Sequence, residues 1–138
     1  MIKEFQGEYR YLSNFYHSPL EYKGIKYLNA EAAFQAQKEE GRQAEFSNLD
    51  PSQAKRLGRQ VKLRSDWDEV KDQIMYEVVS RKFLQNPPLM FKLIHTDDQE
   101  LEEGNSWGDT YWGVCNGTGQ NKLGKILMTV RTLLRGGN

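Results

Sequence analysis

The segment that begins at Asn29, with the sequence Asn-Ala-Glu-Ala-Ala-Phe-Gln-Ala-Gln-Lys, constrains the fold of this chain most strongly. It contains four alanines and neither glycine nor proline, and Asn29 stands where an N-cap residue belongs. The segment therefore predicts an α-helix. At helical spacing, Glu31, Phe34, Gln35 and Lys38 share one face. An acid, an aromatic ring, an amide and an amine thus lie together along three turns.

Two interpretations of that helix face are open from its spacing. Charged residues on an alanine-rich helix are typical of a solvated surface, which is the commoner use of such residues. Alternatively, the face lines a polar cleft, in which the helix macrodipole favours the ionised form of Glu31 near the helix start. The segments elsewhere in the chain favour the cleft.

Length and composition predict one folded domain spanning residues 1–138, without repeat or linker, because 138 residues can bury a core unaided. A lone cysteine, Cys115, excludes an internal disulfide and indicates a reducing compartment. The N-terminus lacks a signal-peptide layout, and no apolar run approaches the roughly 18 residues of a membrane span. We therefore expect a cytoplasmic protein without membrane association.

The charge balance limits the choice of ligand. Lys plus Arg and Asp plus Glu each number 19, so the formal net charge is zero. Long nucleic acid is disfavoured as the main ligand, while a local patch can still bind a phosphate-bearing small molecule. His17 and His95 have no acids or cysteines at ligand spacing, so we predict no metal site and no cofactor.

Periodicity and turn residues predict an α+β fold that is mainly helical, with one small β-hairpin or sheet. Apolar alternation around Lys23-Gly24 predicts a hairpin over residues 19–28. Partial aromatic alternation predicts that residues 4–16 include an extended segment. Helices are predicted at three further places, namely residues 52–60 after Asp50-Pro51, residues 66–84, and about residues 121–134.

The segment from Asn105 to Gly119 holds four glycines and two tryptophans, so it is predicted to be a loop. Trp107 and Trp112 could sandwich a planar heterocycle, with Asp109 bonding its polar edge. Alternatively, the tryptophans fill the edge of a core, and Asp109 organises a turn.

The residues that follow, from Gly117 to Lys122, also have two interpretations. Their backbone N–H groups and the lysine could bind a phosphate. Alternatively, they form an ordinary cap at the start of the last helix.

Several short groups of residues, taken in order and with their separations, carry a resemblance to a known family. They are Leu12-Ser13-Asn14-Phe15, Glu31 with Phe34-Gln35-Ala36 and Lys38, Asp66-Trp67-Asp68 with Lys71 and Met75, Trp107-Gly108 with Trp112-Gly113, and the run from Gly119 to Met128. Over almost its whole length the chain resembles the NADAR, or YbiA-like, family. It departs from the family pattern at residues 114–116, where an Asp or Asn cluster is common.

The resemblance implies a mainly helical fold with a small β component and an N-glycosidase activity, that is, hydrolysis of a C–N bond between ribose and a base or amine. Family substrates are phosphoribosylamino-pyrimidine intermediates of riboflavin synthesis and ADP-ribose attached to guanine in nucleic acid. The predicted ligand is accordingly a small ribosylated, phosphorylated heterocycle or ADP-ribosylated nucleic acid. The predicted catalytic residues are Glu31, Lys38 and Asp109, and the predicted substrate-binding residues are Asn14, Phe15, Phe34, Gln35, Trp67, Trp107 and Trp112.

Two other classes of function fit the same residues. A non-catalytic module would use the aromatic cleft to bind ADP-ribose or a nucleotide without cleaving it. A structural interaction domain would leave the candidate residues apart and exposed. Glu31, Lys38 and Asp109 together favour the enzyme, because binding an anionic ligand does not require an acid beside it.

Overall fold

The computed structural model describes residues 1–136 and contains two compact units. One unit is Asn14–Asn86, and the other combines Met1–Ser13 with the chain from Pro87 onward. The predicted single domain of residues 1–138 stays a prediction, and its last two residues lie outside the described part.

The unit from Asn14 to Asn86 begins with a β-hairpin, as predicted. Strands β1 (His17–Tyr22) and β2 (Ile25–Asn29) pair antiparallel. The two turn residues, Lys23 and Gly24, have φ angles of 51° and 87°. Positive φ at both positions is the geometry of the two-residue turns that match strand twist, which explains why glycine stands at the second position.

Helix α1 (Ala30–Gln35) follows β2 without a linker. The side chain of Asn29 accepts a hydrogen bond of 2.7 Å from the backbone N–H of Ala32, so the predicted N-cap is confirmed. After Gln35 the chain tightens into a 3₁₀ helix at Ala36–Lys38. Every residue of α1 is buried, so this helix lies inside its unit.

Two longer helices enclose α1, and both were predicted. Helix α2 (Pro51–Gly58) starts with proline and a reciprocal capping box between Asp50 and Gln53. Helix α3 (Trp67–Leu84) packs against α1 and β1 through a buried stripe. That stripe includes Trp67, Ile74, Met75, Val78 and Val79.

The other unit contains a 3₁₀ helix (Gly7–Leu12), helix α4 (Pro87–Ile94) and helix α5 (Lys122–Leu134). The stretch of residues 4–16, predicted to include an extended segment, is instead mostly this 3₁₀ helix and turns. Tyr11 and Leu12 are consecutive and both buried, whereas a strand with one buried face buries alternate residues. Two-residue strands β3 (Gly104–Asn105) and β4 (Val114–Cys115) pair in parallel, and α4 packs on α5.

The predicted fold class is confirmed, since the described elements are mostly helical and accompanied by two small two-stranded sheets. The last helix and the long central helix lie within one residue of their predicted positions. Within residues 1–136, none of the helices combines the length and apolar character needed to cross a membrane.

Candidate active site on helix α1

Glu31 lies in the first turn of α1 with only 8% of its surface exposed. Gln35, one turn later, donates a hydrogen bond of 2.7 Å from Nε2 to Glu31 Oε2. The Glu31 backbone N–H donates to the carbonyl oxygen of Asn14 at 3.1 Å. The surface interpretation of this helix face is therefore wrong, because Glu31, Phe34 and Gln35 are all buried.

The amine at the end of this face lies beside an aromatic floor. Phe34 and Trp67 are buried, and their ring centroids lie 5.1 Å apart. Lys38 Nζ lies 5.8 Å from the centroid of the Trp67 ring, and the Lys38 side chain is half-buried. Trp67 therefore packs in the core and also contacts a predicted catalytic group.

Burial lowers the pKa of Lys38 from its ordinary value, because a low-dielectric surrounding disfavours the ammonium form. The positive charges of Arg59 and Lys55 lower this pKa further, whereas the negative charge of Glu31 acts in the opposite direction. Lys38 therefore becomes a neutral amine at a lower pH than an exposed lysine does. A neutral amine is a nucleophile, and an ammonium is not.

Asn14 supplies an acceptor that no donor among residues 1–136 uses. Its side-chain Nδ2 donates to Met75 Sδ at 3.3 Å, while its Oδ1 is buried and meets no donor within the described chain. Buried amide oxygens nearly always have a partner in folded proteins. The free Oδ1 is therefore a ready acceptor for a hydroxyl or N–H group of a ligand.

Phe15, the neighbour of Asn14, is placed differently from the other predicted aromatic residues of this unit. Its side chain is 47% exposed, and Lys55 Nζ lies 5.9 Å from its ring centroid. Phe15 is thus a partly exposed ring beside a cation. Its predicted role in substrate binding stays a prediction.

In the other unit, Asp109 organises its own loop. One oxygen, Oδ1, accepts from the backbone N–H groups of Tyr111 at 3.1 Å and Trp112 at 2.9 Å. Asn105 clamps the same residue, since it accepts from the Asp109 backbone N–H at 3.0 Å and donates to the Asp109 carbonyl at 2.9 Å. The interpretation of Asp109 as a turn residue is correct, and its predicted catalytic role is untested.

The two tryptophans of this loop differ in exposure. Trp107 is 61% exposed, so it does not fill the edge of a core. Trp112 is half-buried, with Tyr111 edge-on at 4.8 Å between ring centroids. Trp107 is therefore the more exposed of the two rings, with surface available for stacking.

The start of α5 lacks the ordinary side-chain cap that one interpretation of the sequence predicted. Asn121 adopts a left-handed conformation with φ of 53°, and its side chain makes no capping hydrogen bond. Instead, it accepts from the Glu103 backbone N–H at 3.0 Å and donates to the Leu101 carbonyl at 2.9 Å. The side chain of Asn121 thus joins α5 to the preceding strand region.

The predicted site residues divide between the two units. The unit from Asn14 to Asn86 brings most of them onto α1 and its surroundings, and the loop of the other unit holds the rest. The first group is Asn14, Phe15, Glu31, Phe34, Gln35, Lys38 and Trp67, and the second is Trp107, Asp109 and Trp112. Sequence reasoning gave Met75 no part in this region beyond packing, and it overlooked Gly58, whose only signal is a glycine inside a predicted helix.

A separate cavity does not include the predicted residues. A cavity of about 400 Å³ in the second unit is lined by none of them. Its lining residues are Glu8, Tyr9, Tyr11, Phe91, Lys92, His95, Thr96 and Gln99. Across residues 1–136, His, Cys, Asp and Glu form no group of three or more that could hold a metal ion.

Comparison with known proteins identifies relatives of this chain. Residues 2–135 match the family model of the NADAR domain. The chain is 38% identical over 131 residues to a riboflavin biosynthesis protein of Vibrio vulnificus, a match that covers 91% of this chain and 35% of that protein. It is 36% identical over 133 residues to the N-glycosidase YbiA of Shigella flexneri, covering 92% of this chain and 82% of that protein. The chain thus spans about a third of the Vibrio protein.

A solved structure agrees with these matches. The NMR structure of Escherichia coli YbiA is 33% identical to this chain, with a TM-score of 0.84 over 98% of this chain and 87% of that one. The resemblance seen in the sequence and the prediction of an N-glycosyl hydrolase are thereby confirmed at the level of the family. The chain belongs to the NADAR family of YbiA-like N-glycosidases.

Proposed function

We propose that this chain hydrolyses the C–N bond between ribose and a heterocyclic base or amine, with Glu31 and Lys38 as its catalytic residues. The observation that carries the proposal is a buried acid on α1 and a half-buried amine in the 3₁₀ turn that continues it, with the charge of the acid acting on the amine. Glu31 is held by Gln35, and Lys38 lies over Trp67 with a lowered pKa. Perturbed titratable groups of this kind concentrate at functional sites.

Cleavage of an N-glycosidic bond has two chemical requirements. The leaving nitrogen must gain a proton, and the positive charge that develops at the sugar carbon must be stabilised. Glu31 is the acid and base in the proposed reaction. Its ionised carboxylate also stabilises the positive charge that develops on the sugar. The free Oδ1 of Asn14 accepts a hydrogen bond from a ribose hydroxyl.

Lys38 is the proposed nucleophile. Its neutral amine attacks the anomeric carbon, the bond from that carbon to the leaving nitrogen breaks, and the nitrogen departs with a proton. The sugar ring then opens to give an imine between Lys38 and ribose, with a proton moving to the ring oxygen. Water adds to the imine carbon and the C–N bond to Lys38 breaks, which releases the sugar as ribose phosphate or ADP-ribose and restores the amine.

Two substrates remain candidates, a phosphoribosylamino-pyrimidine and ADP-ribosylated guanine. The name of the Vibrio relative supports the first, because that protein acts in riboflavin biosynthesis. The zero net charge also supports a small ligand over a long nucleic acid. The loop residues Trp107, Asp109 and Trp112 stay predicted to bind the base.

The test offers both substrates to the purified chain and follows base release by mass spectrometry. We expect release from the ribosylamino-pyrimidine phosphate, and a drop of roughly 10²- to 10⁴-fold in Lys38→Ala and Glu31→Ala. Lys26→Ala, which changes an exposed lysine of β2, is the control and should match the unaltered chain. Borohydride reduction during turnover should trap the sugar on the unaltered chain but not on Lys38→Ala.

Two results would contradict the proposal. Full turnover in both Lys38→Ala and Glu31→Ala would show that the α1 face does not catalyse the reaction. Saturable binding of either substrate, with the ligand recovered intact, would identify a binding module instead of an enzyme.

A further inference from the structure

Gly58 is a buried glycine at the end of α2 whose backbone does not require glycine. Glycines with positive φ occur elsewhere in the chain, but Gly58 is not one of them. A glycine also disfavours a helix relative to alanine. The reason for a glycine at this position must therefore be space, and not backbone conformation.

The space is occupied by Gln35. A Cβ built on Gly58 would overlap Gln35 Oε1 and would lie 2.8 Å from Gln35 Cδ and 3.3 Å from Gln35 Cβ. Helices α1 and α2 pack against each other in this unit. The missing side chain of Gly58 is thus what lets α2 approach the Gln35 carboxamide so closely.

The carboxamide of Gln35 is held from both sides. Its Nε2 donates to Glu31 Oε2 at 2.7 Å, while its Oε1 faces Gly58 and meets no donor among residues 1–136. The opposite orientation would place the amide oxygen against a carboxylate oxygen, and neither atom can donate. In this orientation the buried Gln35 Oε1 has no donor among residues 1–136, while the amide N–H is fixed on Glu31.

We propose that Gly58 is a positioning residue for Glu31, acting through the Gln35 carboxamide that it seats. This inference rests on the proposed function, in which Glu31 touches the substrate. Gln35 is then a support for the catalytic carboxylate, and its predicted role in substrate binding stays a prediction. Catalytic groups depend on such supporting hydrogen bonds, because a displacement of about 1 Å can cost roughly 100-fold in rate.

The kinetic test is a double-mutant cycle between Gly58→Ala and Gln35→Ala, measured with the phosphoribosylamino-pyrimidine. We expect Gly58→Ala to lower kcat about 10- to 100-fold with little change in KM, because the carboxamide is pushed off Glu31. In the Gln35→Ala background the same change should cost less than about twofold, since the obstructing atoms are gone. Ser52→Ala and Gln60→Ala, at exposed positions, are the matched controls.

Two kinetic outcomes would overturn the proposal. One is an equal loss of kcat from Gly58→Ala in both backgrounds, which would mean that Gly58 does not act through Gln35. The other is wild-type kcat in Gln35→Ala. Thermal unfolding of each variant identifies any loss of folding, and Gln35→Ala tests the contact even if Gly58→Ala fails to fold.

A substrate-free measurement separates this proposal from the proposed function. The side-chain amide signals of Gln35 in a ¹⁵N–¹H spectrum report its hydrogen bond to Glu31. We expect these signals to move in both Gly58→Ala and Glu31→Ala, and to stay in place in Ser52→Ala. Unmoved signals in Gly58→Ala would overturn the positioning role. The signals could move in Gly58→Ala while Glu31→Ala retains full turnover. The positioning of Gln35 by Gly58 would then stand, and the catalytic role of Glu31 would be rejected.

Discussion

The face of α1 and the loop around Asp109 contain the same kinds of residue in opposite settings. Each has one acid with aromatic rings nearby. On α1 the acid is buried, a side-chain amide one turn away holds it, and the rings of Phe34 and Trp67 are packed. In the loop, backbone N–H groups hold the acid, and Trp107 is exposed.

This difference indicates a different use of each carboxylate. Asp109 Oδ1 accepts hydrogen bonds from two backbone N–H groups of its own loop. Its carboxylate therefore shapes the backbone in the same way as an Asx turn. The Glu31 carboxylate accepts a hydrogen bond from a side chain, so a change at that side chain can alter the proton affinity of Glu31 without altering the backbone. The comparison makes Glu31 the stronger candidate for proton transfer.

The largest expected effect comes from neutralising each acid without changing its shape. Glu31→Gln should lower turnover by roughly 10²- to 10⁴-fold, because the general acid and base is lost. Asp109→Asn keeps an oxygen that can accept the two backbone hydrogen bonds, so its turnover should fall by no more than about tenfold. Steady-state kinetics on both variants test this order. A greater loss in Asp109→Asn would reverse the assignment of the two acids.

The next effect, on stability, contrasts the packed ring with the exposed one. Phe34→Ala should lower the free energy of unfolding by about 3–5 kcal/mol, because it leaves a cavity beside Trp67. Trp107→Ala should change it by no more than about 0.5 kcal/mol, since the ring is mostly exposed. Urea titrations measure both values. The predicted stacking role requires Trp107→Ala to raise KM despite its unchanged stability.

The elements around α1 were predictable because their signals are local. Asn29 as N-cap, Asp50-Pro51 before α2 and Lys23-Gly24 in the hairpin each specify backbone geometry through the residue type alone. The 3₁₀ helix at residues 7–12 was not predictable in this way, because tertiary burial of two consecutive side chains overrides the aromatic alternation. Element boundaries near α1 also shifted where the helix tightens after Gln35.

The face of Glu31 to Lys38 shows where sequence reasoning about the site ends. The spacing places these residues together, but a solvated helix has the same spacing. Only the position of α1 between its neighbours, with small alanines on the remaining faces, reveals that Glu31 is buried. The partners Met75 and Gly58 come from α3 and α2, and no local pattern links them to Asn14 or Gln35.

A smaller effect distinguishes the Asn29 cap of α1 from the Asp109 turn of the loop. Asn29 accepts from Ala32 N–H and donates to the Leu49 carbonyl at 3.1 Å, so Asn29→Ala should lower global stability by about 1–2 kcal/mol. Asp109→Ala should mainly increase local opening, seen as faster hydrogen exchange at the amides of Tyr111 and Trp112. Equal global destabilisation by both changes would contradict the contrast.

The smallest expected effect is a shift in the pH dependence of the reaction. The proposed nucleophile is neutral Lys38, so kcat/KM should rise with pH through the pKa of Lys38, which burial holds below the ordinary lysine value. The charges of Arg59 and Lys55 lower this pKa as well. Removing either charge therefore raises the pKa and moves the rising limb to higher pH, by less than about one pH unit.

Lys55→Ala and Arg59→Ala, each compared with Lys26→Ala, test this by pH–rate profiles. The loop provides the second control, because Asp109→Asn should leave the position of the limb unchanged while it lowers the rate. A limb that moves to lower pH in Lys55→Ala would contradict the sign of the interaction. The rising limb could instead shift equally in Asp109→Asn and Lys55→Ala. The loop acid would then affect the charge state of Lys38 as strongly as the neighbouring cations do, and the distinction between the two regions would be lost.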